Sequence, residues 1–329
     1  MPSFSRHLVN LASQSLGAQI IEVSDDFFAP GERLLQDSEP VFLANKYDEH
    51  GKWMDGWESR RKRKPGHDHA VIQLGTRGII RGLDIDTRYF TGNFPPQASL
   101  EGVDAVSGSL NSSQEWQVIL LKTDLGPDKH HFFSIDNSKP YTHLRLNIFP
   151  DGGIARLRVY GEPAPDWTNS DRSSILELSS ISSGGRIAGF NDAHYGQPWK
   201  ILTPGRGVNM GDGWETRRRR EPGNDWILVK MGAPAEIERI EIDTAHFKGN
   251  YPDRCSIQAA MVAKETDEEL TESAEAWPEL LSPTRLSMDQ QHFFERQMLN
   301  DLGLVNCVRL NIFPDGGISR FRIFGRPKI

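Results

Sequence analysis

An arginine and an asparagine two residues apart, followed four residues later by an aspartate, occur twice within one phrase: RLNIFPDGG at 145–153 and again at 309–317. In an extended segment successive side chains point to opposite faces, so Arg145 and Asn147 share one face while Leu144, Leu146 and Ile148 take the other. A guanidinium presents a planar fork of donors that fits a carboxylate, and an amide beside it adds one donor and one acceptor set. The pattern therefore suits recognition of a small anion. A cross-strand Arg–Asp pair that pins a hairpin, with Asp151 or Arg156 as partners, explains the same residues structurally. Both readings stand on the residues alone.

The elements that carry this phrase belong to a duplicated chain. DGWESRRKRKPGHD (55–68) returns as DGWETRRRREPGND (212–225), and IDTRYFTGNFP (85–95) as IDTAHFKGNYP (242–252). Trp116, Leu120, Thr123, Leu125 and His131-Phe132-Phe133 reappear as Trp277, Leu281, Thr284, Leu286 and His292-Phe293-Phe294. A period of about 160 residues is that of a domain rather than a solenoid unit. The seam falls in GEPAPDWTNSDRSS (161–174), rich in Pro, Ser and Asp. Two repeats are expected, 1–166 and 167–329. Within each, AVIQLG, GLDIDT, WQVILLKT and RFRIFG alternate apolar and polar residues between Gly, Pro, Asn and Asp. This predicts an all-β chain of two antiparallel sandwiches. FPDGG reads as a turn: Pro sets φ at the first corner, Asp bonds back to the backbone and Gly accepts positive φ. Helical periodicity is weak outside the acidic stretch 264–277.

Composition narrows the partners. The 329 residues are 37% hydrophobic with a net charge of −7. No apolar run approaches the roughly 20 residues of a spanning helix. No secretory signal is read at the start. Neither nucleic acid nor an anionic membrane is expected as the main partner. The runs RRKRK (60–64) and RRRR (217–220) sit at equivalent places in the repeats, and some of their cations are expected to pair with nearby Asp and Glu. The two cysteines, Cys255 and Cys307, form no disulfide framework and suit packed thiols in the cytoplasm. HDH (67–69) and KHHFF (129–133) raise a metal site, but only His131 repeats, as His292, beside an apolar Phe pair; a packed or capping role is the simpler one. Trp57 and Trp214 suit a core or rim position better than a ligand platform.

These motifs, in this order and twice over, resemble the allantoicase family. The resemblance rests on DGWESRRKR and DGWETRRRR, DTRYFTGNFP and DTAHFKGNYP, both copies of RLNIFPDGG with ARLRVYG and SRFRIFG after them, SDDFFAP (24–30) and NDAHYGQP (191–198). It implies two tandem jelly-roll β-sandwich domains, galactose-binding-like, from an internal duplication. It also implies hydrolysis of allantoate to ureidoglycolate and urea in purine degradation. For that chemistry Arg145 and Arg309 are candidates for the carboxylate clamp. Asn147, Asn311, Asn93 and Asn250 are candidates for holding the ureido groups, and Glu58, Glu215, Asp86 and Asp243 for acid–base work. The repeats differ where Phe27, Tyr89 and Thr91 align with His194, His246 and Lys248. Histidine carries protons near neutrality and phenylalanine does not, so the chemistry is assigned to the second repeat, with His246 as its proton carrier and His194 and Lys248 at the substrate. No cofactor is required, a divalent metal is possible, and a homo-oligomer is expected. A tandem module that binds a sugar or peptide without catalysis is the alternative that such a fold leaves open.

Overall fold

The computed structural model describes residues 2–105, 110, 114–168, 174–263 and 265–328. The chain divides into two compact units, Met1–Asp166 and Trp167–Ile329. Each is built on one 19-residue strand, Asp68–Asp86 in the first and Asp225–Asp243 in the second. The first half of Asp68–Asp86 pairs with Gln19–Val23 and Pro140–Phe149, and its second half with Arg156–Pro163 and His130–Ser134. Gln97–Val103 and Gln117–Asp124 extend the first of these layers. One continuous ladder thus folds over on itself into the two layers of a sandwich, and the second unit repeats the pairing strand for strand. All of these pairings are antiparallel.

The period-two alternation decides what fills the core. Leu144, Leu146 and Ile148, and their counterparts Val308, Leu310 and Ile312, are fully buried. Trp57 and Trp214 are core residues too, each closing its indole N–H on a backbone carbonyl, that of Asp25 at 2.9 Å and of Asp192 at 2.8 Å. Both cysteines are buried and unpaired. The acidic stretch forms a short helix, Asp267–Ser273, opened by a capping box between Thr266 and Glu269. Lys264 lies outside the described residues. No helix among the described residues is long and apolar enough to cross a membrane.

His131 and His292 staple a strand to a turn. The Nδ1 of His131 meets the carbonyl of Ile85 at 2.8 Å, and its Nε2 accepts from the amide of Gly126 at 2.7 Å. His292 does the same between Ile242 and Ser287. Both ring nitrogens are consumed, so neither histidine is a metal ligand.

One expectation from alternation fails. Alternation with the buried Leu157 points Arg156 away from the packed interior, yet Arg156 and its counterpart Arg320 are 0% and 2% exposed. Loops 36–55 and 205–212 cover them and supply the carbonyls and carboxylates that a buried guanidinium needs. Alternation tells which face a side chain takes; it does not tell what lies over that face.

The FPDGG turn joins the strands that carry the repeated polar residues. Its X-Pro peptides, Phe149–Pro150 and Phe313–Pro314, are cis. Gly152 and Gly316 take φ of 142° and 140°, open to glycine alone. A Cβ on the next glycine, Gly153 or Gly317, would stand 2.0 or 1.9 Å from the ring of Phe90 or Phe247. These contacts press the turn against the loops that bear Asn93 and Asn250. The amides of Gly153 and Gly317 donate to the carbonyls of those asparagines at 2.7 and 2.8 Å.

Candidate functional site

The repeated polar residues fall into three groups in each unit. The first lies at the turn. Glu58 pairs in a short ladder with Gly153, and Glu215 with Gly317, so each carboxylate stands beside FPDGG. Asn93 donates its amide to Glu58 Oε1 at 2.7 Å, and Asn250 donates to Glu215 in the same way. Among the described residues no hydrogen bond engages the other carboxylate oxygen or the amide oxygen of either pair, the acceptors that ureido N–H groups require. Burial raises the Glu58 carboxyl above its ordinary value, against the lowering effect of the Asn93 bond. A carboxyl so placed keeps its proton longer as pH rises, a property of general acids.

The second group lies on the outer face of the sheet. Arg145 donates through Nε to Glu101 at 2.8 Å and also pairs with it through Nη2, while Asn147 donates to the same carboxylate oxygen at 3.0 Å. In the second unit Asn311 reaches Ser256 at 3.3 Å and Gln258 at 3.0 Å. Arg309 has no such carboxylate. Phe313 at the turn is four residues on from Arg309, about 13 Å of strand. Arg309 and Asn311 therefore belong to a different neighbourhood from Glu215 and Asn250, and no shared hydrogen-bond or ion-pair partner links the two among the described residues.

Asp86 and Asp243 form the third. Asp86 is held by Arg88 through Nε at 2.9 Å and Nη2 at 2.7 Å, and accepts from its backbone amide at 2.9 Å. Asp243 is held by Arg206 at 2.9 Å and by the amide of Ala245 at 2.8 Å. The arginine comes from a neighbouring residue in one repeat and from a distant loop in the other, but the carboxylate is neutralised in both. Both buried aspartates are thus committed to ion pairs within their own repeat. Glu39, Asp86 and His130 place one possible ligand atom each within 4.8 Å of one another. Arg88 bridges the two carboxylates and Arg158 also meets Glu39, so guanidinium groups take the place a cation would fill.

The residues that distinguish the second unit are arranged as follows. His246 and Tyr89 share a left-handed backbone, φ 71° and 69°, and each amide donates to an aspartate, Asp289 or Asp128, at 2.8 Å. The His246 ring is anchored by its Nε2 on the carbonyl of Gly207 at 2.7 Å. It has no bond to Glu215 or Asn250. His246→Ala is accordingly expected to reduce turnover by well under the roughly 10²-fold that loss of a general acid or base produces, with steady-state kinetics as the measurement. Lys248 is exposed, 3.8 Å from Asp289. The His194 amide donates to the carbonyl of Glu215 at 2.9 Å, and its ring packs on Tyr195. This places His194 beside the glutamate.

A cleft that the sequence does not announce lies at the arginine run that follows Glu215 in the chain. Asn191, Asp192, Asp225 and the run Arg217–Glu221 line an open cleft of about 320 Å³. The cations of the run are partly paired, Arg219 with Asp225 at 2.8 Å. Arg217 is paired more loosely: its side chain is 74% exposed and its Nε stands 3.7 Å from Asp192. The counterpart Arg60 is closed on Asp25 at 2.7 Å, and although burial would raise the Asp25 carboxyl, the hydrogen bonds from Arg60 hold it below its ordinary value. The same contrast separates Arg145 from Arg309. The first repeat closes Arg60 and Arg145 on its own carboxylates, while in the second Arg217 is held only loosely and Arg309 has no ion-pair partner among the described residues. Aligned repeats carry a trace of this in Glu101 against Gln258.

Comparison with known proteins bears on the whole chain. The family model described as allantoicase repeat matches residues 9–164 and 176–328. A Burkholderia mallei protein described as probable allantoicase 1 is 55% identical over 324 residues, covering 98% of this chain and 96% of its own length. A probable allantoicase of Pseudomonas aeruginosa is 52% identical, with 98% and 97% covered. The crystal structure of Saccharomyces cerevisiae allantoicase superposes with a TM-score of 0.79 at 32% identity, covering 98% of this chain and 94% of that one. Both repeats, with their turns and their glutamate–asparagine pairs, thus lie within the two segments that the family model matches, and the chain belongs to the allantoicase family.

Proposed function

We infer that this protein is a hydrolase that splits allantoate into ureidoglycolate and urea, a step of purine degradation. The observation that carries this is the match to allantoicases over both repeats and nearly the full length of chain and relatives alike. In the reaction the bond between the central carbon and one ureido nitrogen breaks. The electron pair leaves with the nitrogen, which takes up a proton, and the carbon gains the hydroxyl of water. The glutamate–asparagine pairs at the turn suit this: the carboxyl donates the proton to departing urea, and the asparagine holds the ureido group beside it. Glu215 is favoured over Glu58 because Arg217, two residues on and about 7 Å away along extended chain, is held only loosely by Asp192 and can turn to meet the substrate carboxylate. Arg60 in the first repeat is not.

The partner is then a small anion. Nucleic acid is disfavoured because cations of both arginine-rich runs are engaged by Asp25, Asp68 and Asp225. A cytoplasmic setting suits the two free thiols. A homo-oligomer is supported by exposed Val41, Phe42, Leu43 and Tyr47, an apolar run that a second copy would cover. Purified protein should release urea from allantoate in step with consumption of the acid. Folded protein that releases none, with or without added divalent cation, overturns the reading.

A further inference from the structure

The two outer faces differ by one residue at the centre. In the first repeat the Glu101 carboxylate collects three donors: Arg145 Nε at 2.8 Å, Arg145 Nη2 at 2.7 Å and Asn147 Nδ2 at 3.0 Å. Trp116 lies under the guanidinium at 4.8 Å. In the second repeat the position of Glu101 is held by Gln258, on the same strand register opposite Arg309. A neutral amide does not replace the charge, and this one is turned elsewhere. Its Nε2 donates to the carbonyls of Glu275 at 2.7 Å and Trp277 at 3.0 Å, and its Oε1 accepts from Asn311 at 3.0 Å.

Arg309 is left with the ring of Trp226, 5.0 Å from its Cζ, and no hydrogen bond or ion pair among the described residues. The residue is 7% exposed, and its Nε is fully buried without an acceptor. Glu275 acts on it only from beyond ion-pair distance; a buried guanidinium with no ion pair is unfavourable, and a buried N–H without an acceptor adds to that. Burial pushes its pKa down, against the opposing effect of Glu275.

We propose that the outer face of the second repeat is a binding site for a small carboxylate held by Arg309, and that the first repeat carries the same site occupied by its own Glu101. The first repeat shows the bound arrangement: a carboxylate oxygen shared by Nε and Nη2 along one edge of the guanidinium, the strong charge-assisted mode. That replica is a carboxylate rather than a tetrahedral anion, which fixes the ligand class. Asn311, Asn224 and Ser256, already joined by bonds of 3.3 Å, give the neighbouring polar rim. A carboxylate with an attached amide or ureido group suits that rim. The site is separate from the Glu215–Asn250 pair and rests on no assumption about the reaction.

Calorimetric titration of the full chain with hydantoate, a ureido carboxylate, tests this, with acetate and inorganic phosphate as comparisons. Relative to the unaltered protein, Gln258→Glu should bind one hydantoate fewer per chain, because the new carboxylate takes the ligand's place. Glu101→Gln should bind one more, a gain that unfolding cannot produce. Gln258→Glu should also melt at a higher temperature, since it supplies the missing counter-ion; should it fail to fold, Arg309→Met reads the same loss. Equal stoichiometry in the unaltered protein and in both folded variants overturns the proposal. Phosphate bound in preference to hydantoate and acetate, and lost in Gln258→Glu, overturns the ligand class. None of these readouts involves turnover, so the proposal stands or falls apart from allantoate hydrolysis.

Discussion

Glu215→Gln is expected to lower kcat on allantoate by about 10²- to 10⁴-fold, the range for removing a positioned general acid or base. Glutamine keeps the shape and still accepts from Asn250 through its amide oxygen, so the variant removes a proton carrier and little else. Melting should stay within about 0.5 kcal/mol of the unaltered protein, as for substitutions that open no cavity and strand no buried charge. Glu58→Gln should cost much less, because the first repeat has no free arginine beside the pair: Arg60 is spent on Asp25. The reverse ranking would place the chemistry in the first repeat, where the raised Glu58 carboxyl already favours a held proton. Unchanged turnover in both variants would remove the pair from the mechanism and turn attention to Asp225 in the cleft. The KM of Arg217→Lys separates charge from geometry, since lysine keeps the cation and loses the planar fork.

Much of the architecture was legible because it depends on local pattern. Period-two alternation marks Leu144, Leu146 and Ile148 as core whatever surrounds them, and they are fully buried. Aligned repeats carried the turn, the paired asparagines and the glutamates together. Side-chain partners were harder to read, because they come from elsewhere in the chain. Arg145 and Arg309 have the same sequence context within nine residues, yet one is neutralised and one is not. The cause is residue 101 or 258, a strand away. Asp86 and Asp243 share IDT, but Arg88 serves one and Arg206 the other. His246 stood out as a proton carrier because it replaces Tyr89. Both residues occupy the same left-handed turn position, and the His246 ring is bonded to the carbonyl of Gly207. A titratable side chain gained in one repeat is therefore weak evidence for chemistry until its hydrogen bonds are known.

Arg320 bears on whether Glu215 is in place at all. Its Nε donates to the carbonyl of Gly205 at 3.0 Å, its Nη1 to the carbonyls of Asp212 and of Ser319, the latter at 2.7 Å, and its Nη2 to the Asp212 carboxylate at 2.8 Å. The guanidinium thus fastens loop 205–212 to the end of strand Arg320–Pro327, and that loop leads directly into Trp214 and Glu215. Arg320→Met keeps most of the volume and removes every donor. It leaves the Asp212 carboxylate, 9% exposed, with only Lys200 at 3.9 Å as a distant cation. Breaking one partner of a buried pair costs about 3–5 kcal/mol, so denaturant unfolding of the variant should show a loss of that order. Arg320→Met combined with Asp212→Asn should lose less than the two single changes added together, because the second change removes the stranded charge. Turnover per folded molecule should fall as well, since the Asp212 carbonyl loses its donor and that of Gly205 keeps only Arg322. A variant that melts within about 1 kcal/mol of the unaltered protein and keeps its kcat would show that the loop stands without the arginine, and that Glu215 is positioned by its ladder with Gly317 alone.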